Sequence, residues 1–304
     1  MGVMNRDGIL HISLLEGQAR AILTESTQVV QAAKDIHGLS RIATAALGRT
    51  LTATAMMGSM LKGRDESVTA SIRGGGPIGT VLAVAGADCS VKGYVDNPAV
   101  DLPRTGPKLP VGAAVGREGR LSVIKDLRLR EPYVGQVNLV SGEIAEDFAM
   151  YFTASEQTPS LVSLGVLVSD ERVESAGGLI VQLLPGASEA AIQSIENSAG
   201  MFMDISGTMK EYHLDGAVEQ LLMHLQPRVL ERREVRYACD CSRERVERAL
   251  ITLGTEELTD MIQTQHGAQV DCHFCNKRYR FREADLSALL ASAKSRGDAA
   301  DRGE

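Results

Sequence analysis

Apolar positions along this chain change texture in blocks. From Ile9 to Thr24, short apolar segments flank Glu16-Gly17, which suits a pair of strands. Ser40 to Leu61 is rich in Ala, Leu and Met, holds no Pro and opens at Ser40 as an N-cap. It predicts a long, mostly buried helix that closes before Gly63. From Ser67 to Val140 the chain turns to Val, Ile and Thr runs broken by Gly and Pro: Val68 to Ile72, Thr80 to Val84, Val91 to Val95 and Leu121 to Ile124. These predict a sheet. Ile144 to Ser155 reads as a helix, and Leu161 to Val168 and Gly178 to Leu184 as further strands ending at Pro185-Gly186. Strands and helices come in blocks without regular alternation, which favours an α+β fold over a doubly wound parallel sheet.

After Pro185 short helical signals take over. Val218, Leu221, Leu222 and Leu225 follow the i, i+3, i+4, i+7 spacing of an amphipathic helix that Pro227 ends. The charged run Arg228 to Arg236 reads as a solvated linker, since acids alternate with its arginines. A cysteine-bearing module follows, and from Ala291 the chain is small and polar, predicting an unstructured tail. The expected organisation is an N-terminal α+β domain over 1–186, a metastable helical linker over 187–233, a small module over 234–290 and a disordered tail over 291–304.

Composition bounds the function. A length of 304 residues with 44% hydrophobic content suffices for one large core and a smaller module. A formal net charge of −7 gives no general electrostatic reason to bind nucleic acid. The first residues lack the basic start and apolar run of an export signal, and no uncharged apolar stretch approaches the roughly 20 residues of a membrane span, so a cytoplasmic protein without membrane association is expected. In such a compartment cysteines start as thiols or metal thiolates.

Four of the five cysteines form two close pairs, Cys239-Asp-Cys241 and Cys272-His-Phe-Cys275. Two short loops can each present two sulfurs, and together they complete a tetrahedron around one zinc ion. Ser242 can cap a helix from Arg243 to Leu253 that Gly254 ends, and Thr255 with Glu256 and Glu257 can start another. The second pair sits at the turn of an apparent hairpin, Gln269 to Phe281. His266 and His273 lie nearby, but four cysteines already fill the shell. Cys89 reads as a small residue in a loop. Because a metal keeps thiolates deprotonated at neutral pH, the same sulfurs are open to oxidants and form a candidate redox switch.

Other signals are weaker. Gly74, Gly76 and Gly79 satisfy the G-x-G-x-x-G fingerprint of dinucleotide sites, but Thr80-Val-Leu-Ala-Val continues as a strand where that motif needs a helix, so a tight turn is expected, with Asp96 a turn residue. Met56, Met57 and Met60 suit core packing, while Met201, Met203, Met209 and Met223 suit either a core or an adaptable sticky surface. A zinc-ribbon nucleic-acid binder would draw on Arg243, Arg245, Arg248, Lys277, Arg278, Arg280 and Arg282, which Glu244, Glu247, Glu256, Glu257 and Asp260 largely offset. A thiol oxidoreductase would use Cys272-His-Phe-Cys275 alone, against the competition of the second pair. No Ser/His/Asp set or carboxylate pair stands at a readable spacing, so an enzyme is not suggested.

The module Cys239-Asp-Cys241-Ser-Arg-Glu-Arg-Val, with Cys272-His-Phe-Cys275-Asn and Tyr279-Arg-Phe281, resembles the zinc domain of the bacterial redox-regulated chaperonin family of about thirty-three kilodaltons, the heat shock protein 33 family. Ala45 to Thr50, Gly74 to Gly79, Ser155 to Pro159 and Ala176-Gly177-Gly178 resemble that family's N-terminal domain, in order. The resemblance implies an ATP-independent holdase, inactive when reduced and zinc-bound. It further implies that oxidation pairs Cys239 with Cys241 and Cys272 with Cys275, releases zinc, unfolds the linker, favours a homodimer and exposes apolar surface to unfolding client proteins. Such local disulfides would close only tiny loops, and the long-range tie across 242–271 would go with the metal, releasing structure rather than locking it.

Overall fold

The computed structural model describes residues 7–103, 106 and 108–301, the last eight as backbone only. Residues 1–6, which carry the expectation of no export signal, lie outside the described residues. The chain divides into two compact units, one up to Ala238 and one from Cys239.

The first unit runs β1 (Gly8–Leu14), β2 (Ala19–Glu25), α1 (Thr27–His37), α2 (Arg41–Ser59), β3 (Ser67–Arg73), β4 (Thr80–Gly86), β5 (Ser90–Val95), α3 (Val111–Val115), β6 (Arg120–Asp126), β7 (Tyr133–Asn138), α4 (Ala145–Ala154), β8 (Ser160–Val168), β9 (Val173–Leu183), α5 (Glu189–Ser198), α6 (Ile205–Leu222), β10 (Arg228–Glu234) and β11 (Arg236–Tyr237). Two sheets result. One is antiparallel with order β10-β1-β2-β9-β8, and the other has order β11-β5-β4-β3-β6-β7, with β11 parallel to β5. This is the α+β architecture that the block pattern predicts.

Helix α2 is the centre of the unit. Ser40 caps it by accepting a hydrogen bond from the Ala43 amide at 3.1 Å. Nearly every residue from Ile42 to Ser59 is buried, because the helix lies between the two sheets and touches both. Its buried threonines would each strand a hydroxyl there. Thr50, Thr52 and Thr54 instead donate to the carbonyls four residues back, at 2.7–2.9 Å.

The five-stranded sheet is apolar on both faces, and strand alternation sorts the residues into two separate cores. Ile9, Ile22 and Ile180 point into the core shared with α2. Leu10, Ile12, Leu23, Leu179 and Val181 point the other way, into a second core roofed by α5 and α6 with Phe202, Met209 and Leu221. Gly177 and Gly178 let helices approach on both sides: a Cβ at Gly177 would meet Met209 at 2.7 Å, and one at Gly178 would meet Met56 at 2.8 Å.

Several expectations are corrected. Helix α1 lies in a stretch where no element was read. The run Arg228 to Arg236 is not a free linker: most of it forms β10, paired along β1. Backbone hydrogen bonds do not depend on side-chain charge, and charged side chains suit an exposed sheet edge. Val235 is fully buried and Tyr237 donates to the Gly93 carbonyl at 3.0 Å, so the compact first unit takes in the stretch expected as a linker over 187–233 and reaches Ala238. The glycine-rich stretch 74–79 connects β3 to β4 as a turn, with Asp96 accepting from the Thr80 amide at 2.7 Å.

The second unit holds α7 (Arg243–Thr252), α8 (Thr255–Gln265), the hairpin β12 (Gly267–Asp271) with β13 (Arg278–Arg282), and α9 (Glu283–Asp301). Leu250, Leu258, Tyr279, Phe281 and Leu286 form its core. Helix α9 runs through most of the stretch read as an unstructured tail. Alanine has the highest helix propensity, and the helix is anchored at its start by Leu286. Residues 302–304 lie outside the described residues. No helix among the described residues is long and apolar enough to cross a membrane.

Candidate metal centre

The four paired cysteines meet in the second unit. Ser242 caps α7 by accepting from the Arg245 amide at 3.3 Å, which fixes the Cys239–Cys241 loop at the start of that helix. Cys272 and Cys275 sit in the turn of the β12–β13 hairpin. There the Cys272 amide donates to the Lys277 carbonyl at 2.9 Å, and the amides of Cys275 and Asn276 both donate back to the Cys272 carbonyl, at 3.3 and 2.8 Å. Asn276 takes the left-handed conformation (φ 56°) that such a tight turn needs.

All four Sγ atoms lie within 4.8 Å of one another. The Cys239–Cys272 separation is 3.7 Å and the Cys241–Cys275 separation 3.4 Å. A regular tetrahedron with bonds of ~2.3 Å has edges of ~3.8 Å, so the sulfurs stand where a thiolate-bound metal ion would hold them. The donor set fits a soft or borderline cation of tetrahedral preference. His266 and His273 are not among the grouped donors.

The electrostatics separate the thiols. Burial pushes the Cys241 thiol up, but the hydrogen bonds it receives from Tyr279 and the neighbouring thiols outweigh that and bring it down to about 7. The Tyr279 hydroxyl donates to its Sγ at 3.2 Å. Cys239 and Cys275 shift the opposite way, with burial foremost. Tyr279 is a site residue that spacing alone gives no reason to choose. Two signals touch it: it stands in the Tyr279-Arg-Phe281 segment of the family resemblance, and strand alternation puts Tyr279 and Phe281 on the inner face of β13.

The remaining candidates fall elsewhere. Cys89 is fully buried in the first unit, and burial raises its thiol to about 11, which makes it inert. Several basic residues of the module are engaged: Arg243 pairs with Glu247 and Asp285 and lies over the Phe281 ring, Arg245 pairs with Asp240, and Arg278 pairs with Asp271. Met56 and Met57 are core residues. The second methionine group splits, with Met209 fully buried while Met201, Met203 and Met223 are exposed.

Known proteins resemble the chain along almost all of its length. A family model described as Hsp33 protein matches residues 7–282. A 33 kDa chaperonin of Clostridioides difficile is 46% identical over 287 residues, covering 94% of this chain and 99% of its own. One from Acetivibrio thermocellus is 47% identical over 292 residues, covering 95% and 98%. The crystal structure of a 33 kDa chaperonin, an Hsp33 homologue from Thermotoga maritima, matches with a TM-score of 0.86 at 37% identity, covering 95% of this chain and 99% of that one. With the four thiols gathered at one centre and the fold shared over 95% of its length, the chain belongs to the Hsp33 family.

Proposed function

We propose that this protein is a cytoplasmic, redox-regulated holdase chaperone that binds unfolding proteins without ATP. The observation that carries the reading is the cluster of four thiols within 4.8 Å in a unit whose own hydrophobic core is small. Zinc is the metal that the donor set fits best, held by Cys239, Cys241, Cys272 and Cys275. A bound zinc ion would supply folding free energy to the module, apparent values being roughly 10–16 kcal/mol in small zinc modules.

Oxidation removes the donor set. Two pairs of thiolates pass their electrons to two equivalents of peroxide, two S–S bonds form, and with protons taken up four waters leave. Pairing of Cys239 with Cys241 and of Cys272 with Cys275 follows the family resemblance. The shortest Sγ separations run across the loops instead, so peptide mapping of the oxidised chain is the test: cross-linked Cys239–Cys272 and Cys241–Cys275 peptides would overturn the adjacent pairing.

The apolar surface for clients is the sheet face under α5 and α6, where Leu10, Ile12, Leu23, Leu179 and Val181 lie covered. The helical part of the metastable linker expected over 187–233 is this roof, and the remainder of that stretch lies in β10. As the module unfolds the roof loosens, and the face becomes available to exposed hydrophobic stretches of a client or of a second oxidised copy.

Light scattering from a thermally unfolding client, with the protein either reduced and zinc-loaded or peroxide-treated with zinc release monitored, tests this directly. Suppression by the oxidised form alone, in step with zinc release, is expected. Equal suppression by both forms would remove the redox switch, and suppression by neither would turn attention to disulfide reductase activity at the same cysteines.

A further inference from the structure

The six-stranded sheet turns one face to α2 and the other to solvent, and on the solvent face two arginines oppose each other. In the antiparallel pairing of β3 with β6, Arg73 stands across from Arg120 and Ser71 across from Ser122, and Gln136 of β7 lies beside Ser122. Together with Gly119 these five side chains line a concavity of about 340 Å³. Like charges placed directly opposite on a sheet are destabilising. Neither guanidinium has an ion pair or a hydrogen bond among the described residues. Several other arginines of the same unit are matched to carboxylates, among them Arg41 with Asp170, Arg49 with Glu143, Arg232 with Asp215 and Arg236 with Asp88. In a chain of net charge −7, an opposed pair of free cations is a local reversal of sign.

The pair is also rigidly mounted. Ile72 and Leu121, the neighbours of the two arginines along their strands, are fully buried on the inner face. The turn before β6 lies so close to the end of β3 that a Cβ on Gly119 would meet the Arg73 carbonyl oxygen at 1.8 Å, so only glycine fits. The lining offers two planar guanidinium forks, two hydroxyls and one amide, and no carboxylate. Such forks match the oxygens of a phosphoryl group two at a time. The volume falls at the lower end of the roughly 300–1,000 Å³ usual for small-molecule sites.

We propose that this concavity binds a phosphate-type oxyanion, either inorganic phosphate or a short polyphosphate, through Arg73 and Arg120, with Ser71, Ser122 and Gln136 donating to the remaining oxygens. The site lies across the α2 layer from the five-stranded sheet and stands independently of the chaperone reading. Binding of the anion neutralises the opposed charges and stabilises the folded unit.

Calorimetric titration of the reduced, zinc-loaded full chain with phosphate, and separately with tripolyphosphate, in phosphate-free buffer tests it. Saturable binding is expected for at least one anion, and which of the two binds identifies the source. The double variant Arg73→Gln/Arg120→Gln should bind about tenfold more weakly or not at all, whereas the double variant Arg232→Gln/Arg236→Gln, which removes the same two charges elsewhere in the unit, should bind normally. Without anion the double variant should melt no lower than the parent, because the opposed pair is gone, and added phosphate should no longer raise its melting temperature. Absence of saturation with either anion by about 10 mM, unchanged binding by the double variant, or a thermal shift matched by chloride at equal ionic strength would overturn the site.

Discussion

At the scale of single residues the centre depends on more than its four sulfurs. Replacing Cys272 with Ser removes one donor and should lower zinc affinity by more than the roughly 10–100-fold that loss of an outer partner costs. The variant should be partly active without oxidant, as read by zinc content and client scattering; a zinc-loaded, inactive variant would contradict the switch. Tyr279→Phe keeps the packing of β13 but deletes the hydrogen bond to Cys241. Metal affinity, measured by competition with a chromophoric chelator, should fall by about tenfold or more, the usual cost of an outer partner. A third residue gives a pH signature. Burial pushes the Asp7 carboxyl from its ordinary 3.8 to about 7. The folded chain therefore holds that proton between about pH 4 and 7 while the unfolded chain has lost it, so stability falls as pH rises through this window and levels off above it. Asp7→Asn retains a carbonyl to accept the Val29 amide bond and has no charge to bury. Its stability relative to the parent should rise between pH 5 and pH 8, by roughly 1–3 kcal/mol in urea unfolding.

At the scale of elements the roof helix α6 is broken in its middle. His213 lies at φ 54°, ψ −172°, outside helical conformation, and Glu25 of β2 spans the break, accepting from the Leu214 amide at 3.0 Å while the His213 ring lies 3.0 Å from its other oxygen. Glu25→Ala strands a buried amide, a loss of about 1–3 kcal/mol. Hydrogen exchange of the α6 amides should then quicken in the reduced protein, and less peroxide should be needed for activity; unchanged exchange would show that the roof is held by its apolar contacts alone. Neither the break nor its bracket is legible in sequence, because Glu25 and His213 lie far apart and each is of a type common on surfaces. What was legible followed from local rules: the cap at Ser40, the Val, Ile and Thr runs of β3 to β6, and the cap at Ser242 each need only neighbouring residues. Strand β10 was hidden because its ladder is made by backbone atoms under charged side chains, and α1 because its apolar face is short, with Val29, Val30 and Ala33 its only buried residues.

At the scale of the whole molecule the cysteine pairs reveal the centre because thiolate chemistry demands four donors in two short loops, and that demand is written in spacing. The surface of the proposed client site carries no such mark, since Leu and Val on one strand face look the same whether they pack permanently or temporarily. Chelation of the reduced protein separates the two units experimentally. Far-ultraviolet dichroism should lose helix from the second unit while near-ultraviolet signals of the buried Tyr151, Phe148 and Phe152 persist, because those rings belong to the core around α2. Simultaneous loss of both would mean that the first unit cannot stand alone.

One strand face of the five-stranded sheet packs against α2, and the alternate residues pack under the roof. In evolutionary terms the two sets answer to different selection. A change at Ile22 or Ile180 weakens the molecule in every state it visits, whereas a change at Leu23 or Val181 alters the closed form and the proposed binding face together. Related chains should therefore drift at unequal rates at neighbouring positions of the same strand, slow and fast in alternation. That rhythm of tolerance, with period two, would mark which face a lineage retunes when its clients change.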